Sequence, residues 1–161
     1  MPAGTAVNGV DDIMAVVLNI YDSAKNEISF LAPPFFVSIA GTLDVLQHAK
    51  RFIENGGVVR GITTISRDNV EEAQMRLDIG EDLRHCSTLS EIFMFVGDRK
   101  QSISSINIGV REYTRDMPIT AFWSESPVYA EYLLGSFENA WSQAVPAEKQ
   151  IRELEQESPK S

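Results

Sequence analysis

The sequence is poor in the residues that build disulfide frameworks, zinc sites and catalytic imidazole pairs. It has one cysteine, Cys86, and two histidines, His48 and His85, in 161 residues. A single cysteine excludes an internal disulfide and a multi-cysteine zinc site. No apolar run approaches the about 20 residues of a membrane span, and the start of the chain lacks the basic residues and short apolar stretch of a signal peptide. We therefore expect a cytoplasmic protein without membrane insertion.

Positive charge is also scarce. Lys and Arg number 14 against 23 Asp and Glu, which gives a net charge of −9. Such a chain repels phosphate backbones at long range, so we expect no nucleic-acid partner. The 43% of apolar and 23% of charged residues are typical of a globular protein. The length suffices for one domain with a sizeable core.

Common cofactor and metal motifs are missing as well. The chain has no P-loop, no G-x-G-x-x-G, no H-E-x-x-H and no EF-hand loop, so we expect no cofactor and no metal. His48 falls on or near the polar side of a predicted helix, which favours a surface role. Cys86 adjoins His85 on a predicted strand, where neighbours point to opposite faces. This favours an inert thiol over a thiolate–imidazole pair.

Apolar spacing predicts alternating helices and strands. The helical spacing covers about 13–24, 42–55, 68–80 and 127–144, and the strand-like runs are 27–32, 58–65, 82–86, 92–96, 102–108 and 119–123. A hairpin turn is expected at 97–100. Strands that alternate with helices and then form a hairpin indicate an α/β fold. It would have a central mixed sheet flanked by helices and a long C-terminal helix.

The composition changes only near the end of the chain, which becomes almost entirely charged from Glu148. We therefore predict a domain over 1–147 and a charged helical linker or tail over 148–161. Ala144, Ala147, Ile151 and Leu154 are spaced like a short a/d stripe. Two interpretations stay open: a solvated helix end, or the start of a connecting helix or coiled coil.

Asp98 and the segment Ser104-Ser105-Ile106-Asn107 carry a family resemblance. They resemble one half of the phospholipase D superfamily, whose signature is H-x-K-x4-D followed by G-S-x-N. Glu91 stands at the histidine position and Phe93 at the lysine position. In the active family the histidine attacks phosphorus and the lysine binds the phosphate. The resemblance therefore implies a catalytically degenerate domain with no catalytic residues.

The segment 137–155 supports the same resemblance through Trp141, Pro146-Ala147 and its glutamates. It is similar to the end of phospholipase D-like sensor regions in archaeal signal-transduction histidine kinases and TrmB-type regulators. The family's arginine position falls on Gln150, with Arg152 two residues later. The resemblance implies a non-catalytic sensory, ligand-binding domain that precedes a histidine kinase or another output module. It also implies a homodimer through the C-terminal helix.

A cleft at the strand ends is the expected ligand site, because ligands bind there in α/β sheets. Arginines suit a small polar or anionic ligand, since guanidinium pairs bidentately with carboxylate or phosphate. The candidate ligand-binding residues are Thr64, Arg67, Arg84, His85, Asn107 and Trp123. The aromatics Phe35, Phe36, Phe122 and Trp123 pack in the core or line an apolar pocket.

Two other functions stay open. One is a diverged phosphodiesterase or hydrolase that uses His85 and acts as a dimer. The other is a dimerisation module without a ligand.

Overall fold

A single mixed sheet organises the molecule. The computed structural model describes residues 4–34, 36, 44–87, 92–106 and 118–157. The strands in this part of the chain are β1 (Thr5–Asn8), β2 (Glu27–Leu31), β3 (Val58–Thr63), β4 (Asp82–His85), β5 (Ile92–Gly97), β6 (Gln101–Ile106), β7 (Thr120–Ser124) and β8 (Val145–Pro146). Their order across the sheet is β1-β7-β6-β5-β2-β3-β4-β8. Strands β2, β3 and β4 are parallel neighbours, and the other pairs are antiparallel.

Helices cover both faces of this sheet. They are α1 (Val10–Ser23), α2 (Val45–Glu54), α3 (Val70–Asp78), α4 (Pro127–Gln143) and α5 (Ala147–Gln156). The predicted α/β fold with a central mixed sheet, flanking helices and a C-terminal helix is thereby confirmed. Parallel strands need covered faces, because their crossover helices lie on the sheet.

Two apolar clusters fill the space between the helices and the sheet. On one face, Leu133 and Phe137 of α4 pack against Ile62 and Met94. On the other face, α1, α2, α3 and α5 contribute to a larger cluster. Side chains alternate along a strand, so β5 feeds both layers, with Phe93 and Phe95 on the larger side. This explains why β5 is apolar at successive positions.

The turn between β5 and β6 locks the start of β2 in place. Asp98 and Arg99 have left-handed φ values of 52° and 57° in the three-residue connection between Gly97 and Gln101. The Asp98 carboxylate accepts the backbone N–H groups of Lys25, Asn26 and Glu27 at 2.8, 2.8 and 3.0 Å. The aspartate that the family resemblance identifies thus joins the hairpin to the α1–β2 connection.

The end of the chain departs from the expected uniform helix. Val145 and Pro146 interrupt it and pair with β4, because proline lacks an N–H and restricts the residue before it. In α5, Ala147 and Ile151 are buried in the larger cluster, and Leu154 packs against that cluster. Ala147 and Ile151 of the stripe are thus covered within the chain itself, and the homodimer through the C-terminal helix stays a prediction. The division of the chain at 147 and 148 stays a prediction.

Two smaller features of the fold lay outside the sequence analysis. Strand β1 extends the sheet by pairing with β7, but its short sequence shows no strand pattern. The α1 helix begins after Gly9 at a φ of 88°, without a side-chain cap.

Candidate functional site

Three of the predicted site residues, Thr64, Arg67 and His85, lie at the carboxyl end of β4 or in the connection that follows β3. The Thr64 hydroxyl donates to the carbonyl of Cys86 at 2.6 Å. The Nδ1 atom of His85 accepts the backbone N–H of Ile65 at 2.9 Å. Arg67 follows in the same connection. These polar groups hold the β3–α3 connection against β4.

His85 is held as a neutral imidazole. His85 is only 9% exposed. Burial lowers the pKa of its imidazole, and the nearby carboxylate of Glu153 partly opposes this effect. Because Nδ1 accepts a backbone N–H, the ring's own proton lies on Nε2. Protonation of Nδ1 would break the bond from Ile65.

Helix α5 covers the edge that was expected to form the ligand cleft. Gln150 donates to the carbonyl of Ile65 at 3.1 Å. Arg67 donates to the carbonyl and the carboxylate of Glu157 at 3.2 and 3.3 Å. The polar groups of this edge are thus engaged by the chain's own last helix.

The other predicted site residues do not join this group. Arg84 lies on the opposite face, where its guanidinium stacks 4.0 Å from the Trp141 ring centroid and donates to the Trp141 carbonyl at 2.8 Å. Trp123 on β7 is separated from β4 by four strands, or about 24 Å at normal strand spacing. Asn107 lies outside the described residues. As ligand-binding residues, all six stay a prediction.

Phe93, at the lysine position of the family signature, lies deep in the larger cluster. Phe93 is 2% exposed, and its ring stacks on that of Phe36 with the centroids 4.4 Å apart. Beside it, Tyr21 and Arg76 help to line a cavity of about 20 Å³, which is room for about one water molecule. Glu91, at the histidine position, lies outside the described residues.

A buried ion pair stands next to this cavity. Arg76 donates to the two carboxylate oxygens of Glu81 at 3.0 and 3.2 Å, and both side chains are buried. Burial also raises the pKa of the neighbouring Tyr21 above its usual range. The sequence does not predict this pair, because Arg76 and Glu81 lie among several other charged residues near the end of a helix.

A larger concavity lies on the α4 face of the sheet. We call it the tyrosine groove, and its volume is about 420 Å³, within the usual range for ligand sites. Met94, Ser104 and Phe122 stand in one row across β5, β6 and β7 and form part of its floor. The groove is lined by Ala6, Ile92, Met94, Ser104, Ser105, Thr120, Ala121, Phe122, Tyr129, Tyr132, Leu133 and Ser136.

Aromatic rings form one wall of the tyrosine groove. Tyr129 meets Phe122 edge to face at 5.5 Å and lies nearly parallel to Tyr132 at 6.3 Å. The Tyr129 hydroxyl is 3.2 Å from the Ser104 hydroxyl. Phe122 and Tyr132 remain 38% and 72% exposed. The open alternative that Phe122 lines an apolar pocket is therefore confirmed.

The helix side of this groove was not predicted from the sequence. Tyr129, Tyr132 and Ser136 are spaced three and four residues apart, so they share one face of α4. That spacing was the available signal. It was hard to separate from the buried stripe of Leu133 and Phe137, which the same helix carries at the same period.

The described residues form neither a metal-ligating cluster nor a membrane-spanning helix. No group of three or more His, Cys, Asp or Glu side chains there is placed to hold a metal ion. None of the helices in the described ranges combines the length and the apolar character needed to cross a bilayer.

Comparison with known proteins identifies the fold. No protein-family model and no curated protein matches the chain. Among solved structures, TrmBL2, an archaeal chromatin protein with a novel mode of DNA binding, superposes with a TM-score of 0.71 at 13% identity, over 91% of this chain and 55% of that chain. Nuc from Salmonella typhimurium, a phospholipase D family member, gives 0.71 at 16% identity, over 91% and 98%. NucT from Helicobacter pylori gives 0.67 at 10% identity, over 89% and 99%.

The chain therefore has a phospholipase D-like α/β fold, and it spans about half of the chromatin protein's chain. The expectation that nucleic acid is not a partner is overturned, because the same fold occurs in a protein that binds DNA. The physical reason is that net charge averages over the whole surface. Contact with DNA depends on local charge.

Proposed function

We propose that this chain is a non-catalytic ligand-binding domain of a signal-transduction protein, with the tyrosine groove as its ligand site. The observation that carries the proposal is the burial of Phe93. A phosphodiesterase of the resembling family needs an amine at this position to bind phosphate. Here the position holds an aromatic ring that packs on Phe36 inside the core.

The chain's two imidazoles also favour binding over hydrolysis. His85 is buried, and its Nδ1 accepts a backbone N–H. His48 lies on α2 with its Nδ1 2.8 Å from the Asp22 carboxylate. A nucleophilic histidine needs a ring nitrogen that can reach phosphorus. Glu91 at the signature's histidine position adds a negative charge where a phosphate would have to bind.

Two observations support the sensory role: the occurrence of the same fold within a longer chain, and the tyrosine groove. The same fold occurs as a part of the longer TrmBL2 chain, as a domain coupled to another module would. The tyrosine groove has a volume of about 420 Å³. Of the positions in the family signature, only Ser104 and Ser105 are among its lining residues. An output module such as a histidine kinase is part of the proposal.

Hydrolysis of bis(p-nitrophenyl) phosphate tests the proposal directly. We expect the wild-type chain to release no p-nitrophenol above buffer, and His85→Asn to behave identically. Turnover by the wild type that disappears in His85→Asn would establish the hydrolase instead. A thermal-shift screen of small molecules forms the second arm, because a ligand that binds the folded state raises the melting temperature.

DNA binding is a second candidate, and a specific surface favours it beside the likeness to TrmBL2. A groove of about 510 Å³ between α1 and α2 is lined by Lys25, His48 and Arg51, with Asp22 as its acidic member. Local positive charge of this kind can contact phosphates even in an acidic chain.

Fluorescence anisotropy with a labelled duplex of about 30 base pairs tests this candidate, in salt from about 50 to 200 mM. DNA contact through this groove predicts binding that weakens with salt and is lost in Arg51→Glu. The exposed Arg152→Glu on α5 is the matched control. Equal binding by both variants would rule out this groove as the contact.

A further inference from the structure

We infer that the tyrosine groove takes an uncharged ligand with a planar, unsaturated ring, such as a nucleoside. The inference rests on the proposed function, because it names the ligand class of the proposed site. It is carried by three features of the groove: its lack of charge, its exposed aromatic faces and its row of hydroxyl groups.

The lack of charge selects against ions. None of the twelve described residues that line the groove has a carboxylate, ammonium, guanidinium or imidazole group. Glu131 on the same helix is paired with Arg99 at 2.7 Å. A phosphate or carboxylate in the groove would lose water without gaining a cationic partner among these twelve residues.

The aromatic faces select a flat ligand. Tyr132 is 72% exposed on α4, and Phe122 is 38% exposed on β7. Tyr129 lies between them and contacts both rings, so the three form a connected wall. Tyrosine presents a large, rigid contact face that loses little conformational freedom on binding. A planar ring can stack on such a face over its whole area.

The hydroxyl groups distinguish a heterocycle from a saccharide. Five of the twelve lining residues carry a hydroxyl on the α4 side of the sheet or on α4 itself: Ser104, Thr120, Tyr129, Tyr132 and Ser136. Ser105 pairs with Phe93, so its side chain faces the opposite layer. A hydroxyl can donate or accept, and thus suits the ring nitrogens and carbonyls of a heterocycle. The described lining has no amide or carboxylate side chain that could bind two adjacent sugar hydroxyls at once.

Isothermal titration calorimetry with defined probes tests the inference. The uncharged planar probes are adenosine, thymidine and caffeine. Adenosine 5′-monophosphate keeps the ring of adenosine but adds a phosphate, and glucose has hydroxyls without a planar ring. We expect at least one planar probe to bind, the monophosphate to bind at least tenfold more weakly than adenosine, and glucose not to bind.

Variants of α4 locate the binding. Tyr132→Ala should weaken binding at least tenfold and Tyr132→Phe should retain it, since the ring face and not the hydroxyl makes the stack. Tyr132 is highly exposed, so both variants should fold. Val128→Ala is the control, because Val128 is 81% exposed on the same helix but does not line the groove.

The inference is overturned if none of the planar probes binds, if the monophosphate binds as well as adenosine, or if Tyr132→Ala binds like the wild type. Binding of glucose alone, lost in Tyr132→Ala, would keep the groove as a ligand site and reject the ligand class. Phosphodiester hydrolysis would reject the proposed function itself, so the two failures are distinguishable.

Discussion

At the scale of single residues, burial determines what Phe93 and His85 contact. The resemblance aligns Phe93 with a phosphate-binding lysine. Phe93 is only 2% exposed, and its ring stacks on Phe36. His85 places an imidazole at a strand end, but its Nδ1 accepts the backbone N–H of Ile65. In both cases the buried side chain is engaged by neighbours inside the domain.

Replacement of Phe93 by lysine should be severely destabilising. We expect Phe93→Lys to lower the free energy of unfolding by about 4 kcal/mol or more, since it buries a charge without a partner. Phe93→Leu, the apolar control, should cost only about 1–2 kcal/mol. Urea denaturation measures both. A lysine variant as stable as the leucine variant would mean that position 93 can reach solvent.

The burial of His85 leads us to expect a specific pH dependence of the free energy of unfolding. Burial lowers its pKa in the folded state, so the unfolded chain binds the proton more tightly. The stability contribution is therefore complete above the ordinary histidine pKa of about 6.5 and is lost as the pH falls through the lower folded value. We expect the free energy of unfolding to decline on acidification from about pH 7.5 to 5.5.

His85→Asn is the matched variant for this pH dependence. Its Oδ1 can accept the Ile65 N–H in place of Nδ1, but the side chain does not titrate. The decline measured by urea denaturation should therefore flatten in this variant. An unchanged slope would assign the pH dependence to another group.

At the scale of elements, polar side chains fix how the strands meet. The β5–β6 turn places Asp98 so that its carboxylate accepts three N–H groups at the start of β2. Helix α4 is held at its C-terminus by Arg84, which stacks on Trp141 and donates to its carbonyl. These contacts join segments that are 57 to 73 residues apart in sequence.

Asp98→Asn should weaken the junction between the hairpin and β2. Asparagine tolerates the same backbone conformation but removes the charge, and its amide nitrogen cannot accept an N–H. We expect a loss of about 1–3 kcal/mol in the free energy of unfolding, by urea denaturation at neutral pH. The exposed neighbour Lys100→Gln is the control and should stay within about 0.5 kcal/mol of the wild type. Equal effects of the two changes would remove the special role of Asp98.

At the scale of the whole molecule, α5 is part of the globular core. Ile151 and Ala147 close the larger apolar cluster, while Gln150 and Arg67 tie the helix to the β3–α3 connection. A ligand-dependent movement of this helix would therefore have to break contacts with the sheet. It would not be a simple swing of a solvated tail.

Ile151→Ala tests this integration. Removal of a buried isoleucine side chain should lower the free energy of unfolding by about 2–4 kcal/mol. The exposed Arg152→Ala next to it should change stability by less than about 0.5 kcal/mol. Thermal or urea denaturation of the full chain measures both. A neutral Ile151→Ala would show that α5 is a solvated extension in solution.

The sequence by itself determined the alternation of helices and strands and the character of β5. These depend on local spacing: Ile13, Val17 and Ile20 repeat at the helical period and are buried on α1. Val58–Thr63 is rich in β-branched residues and forms β3. The glutamate and phenylalanine at the signature positions were equally readable, because they depend only on residue identity.

Only the tertiary structure decided which polar side chains are free and where space remains. Arg84 and His85 are neighbours in sequence but face opposite layers, and Trp123 lies four strands from β4. The tyrosine groove joins β5, β6 and β7 to a helix that begins after them, so no local pattern contains it. The physical reason is that burial and partnership depend on strand order and on the path of α5. Both are set by the packing of distant segments, whereas periodicity reports only on neighbours along the chain.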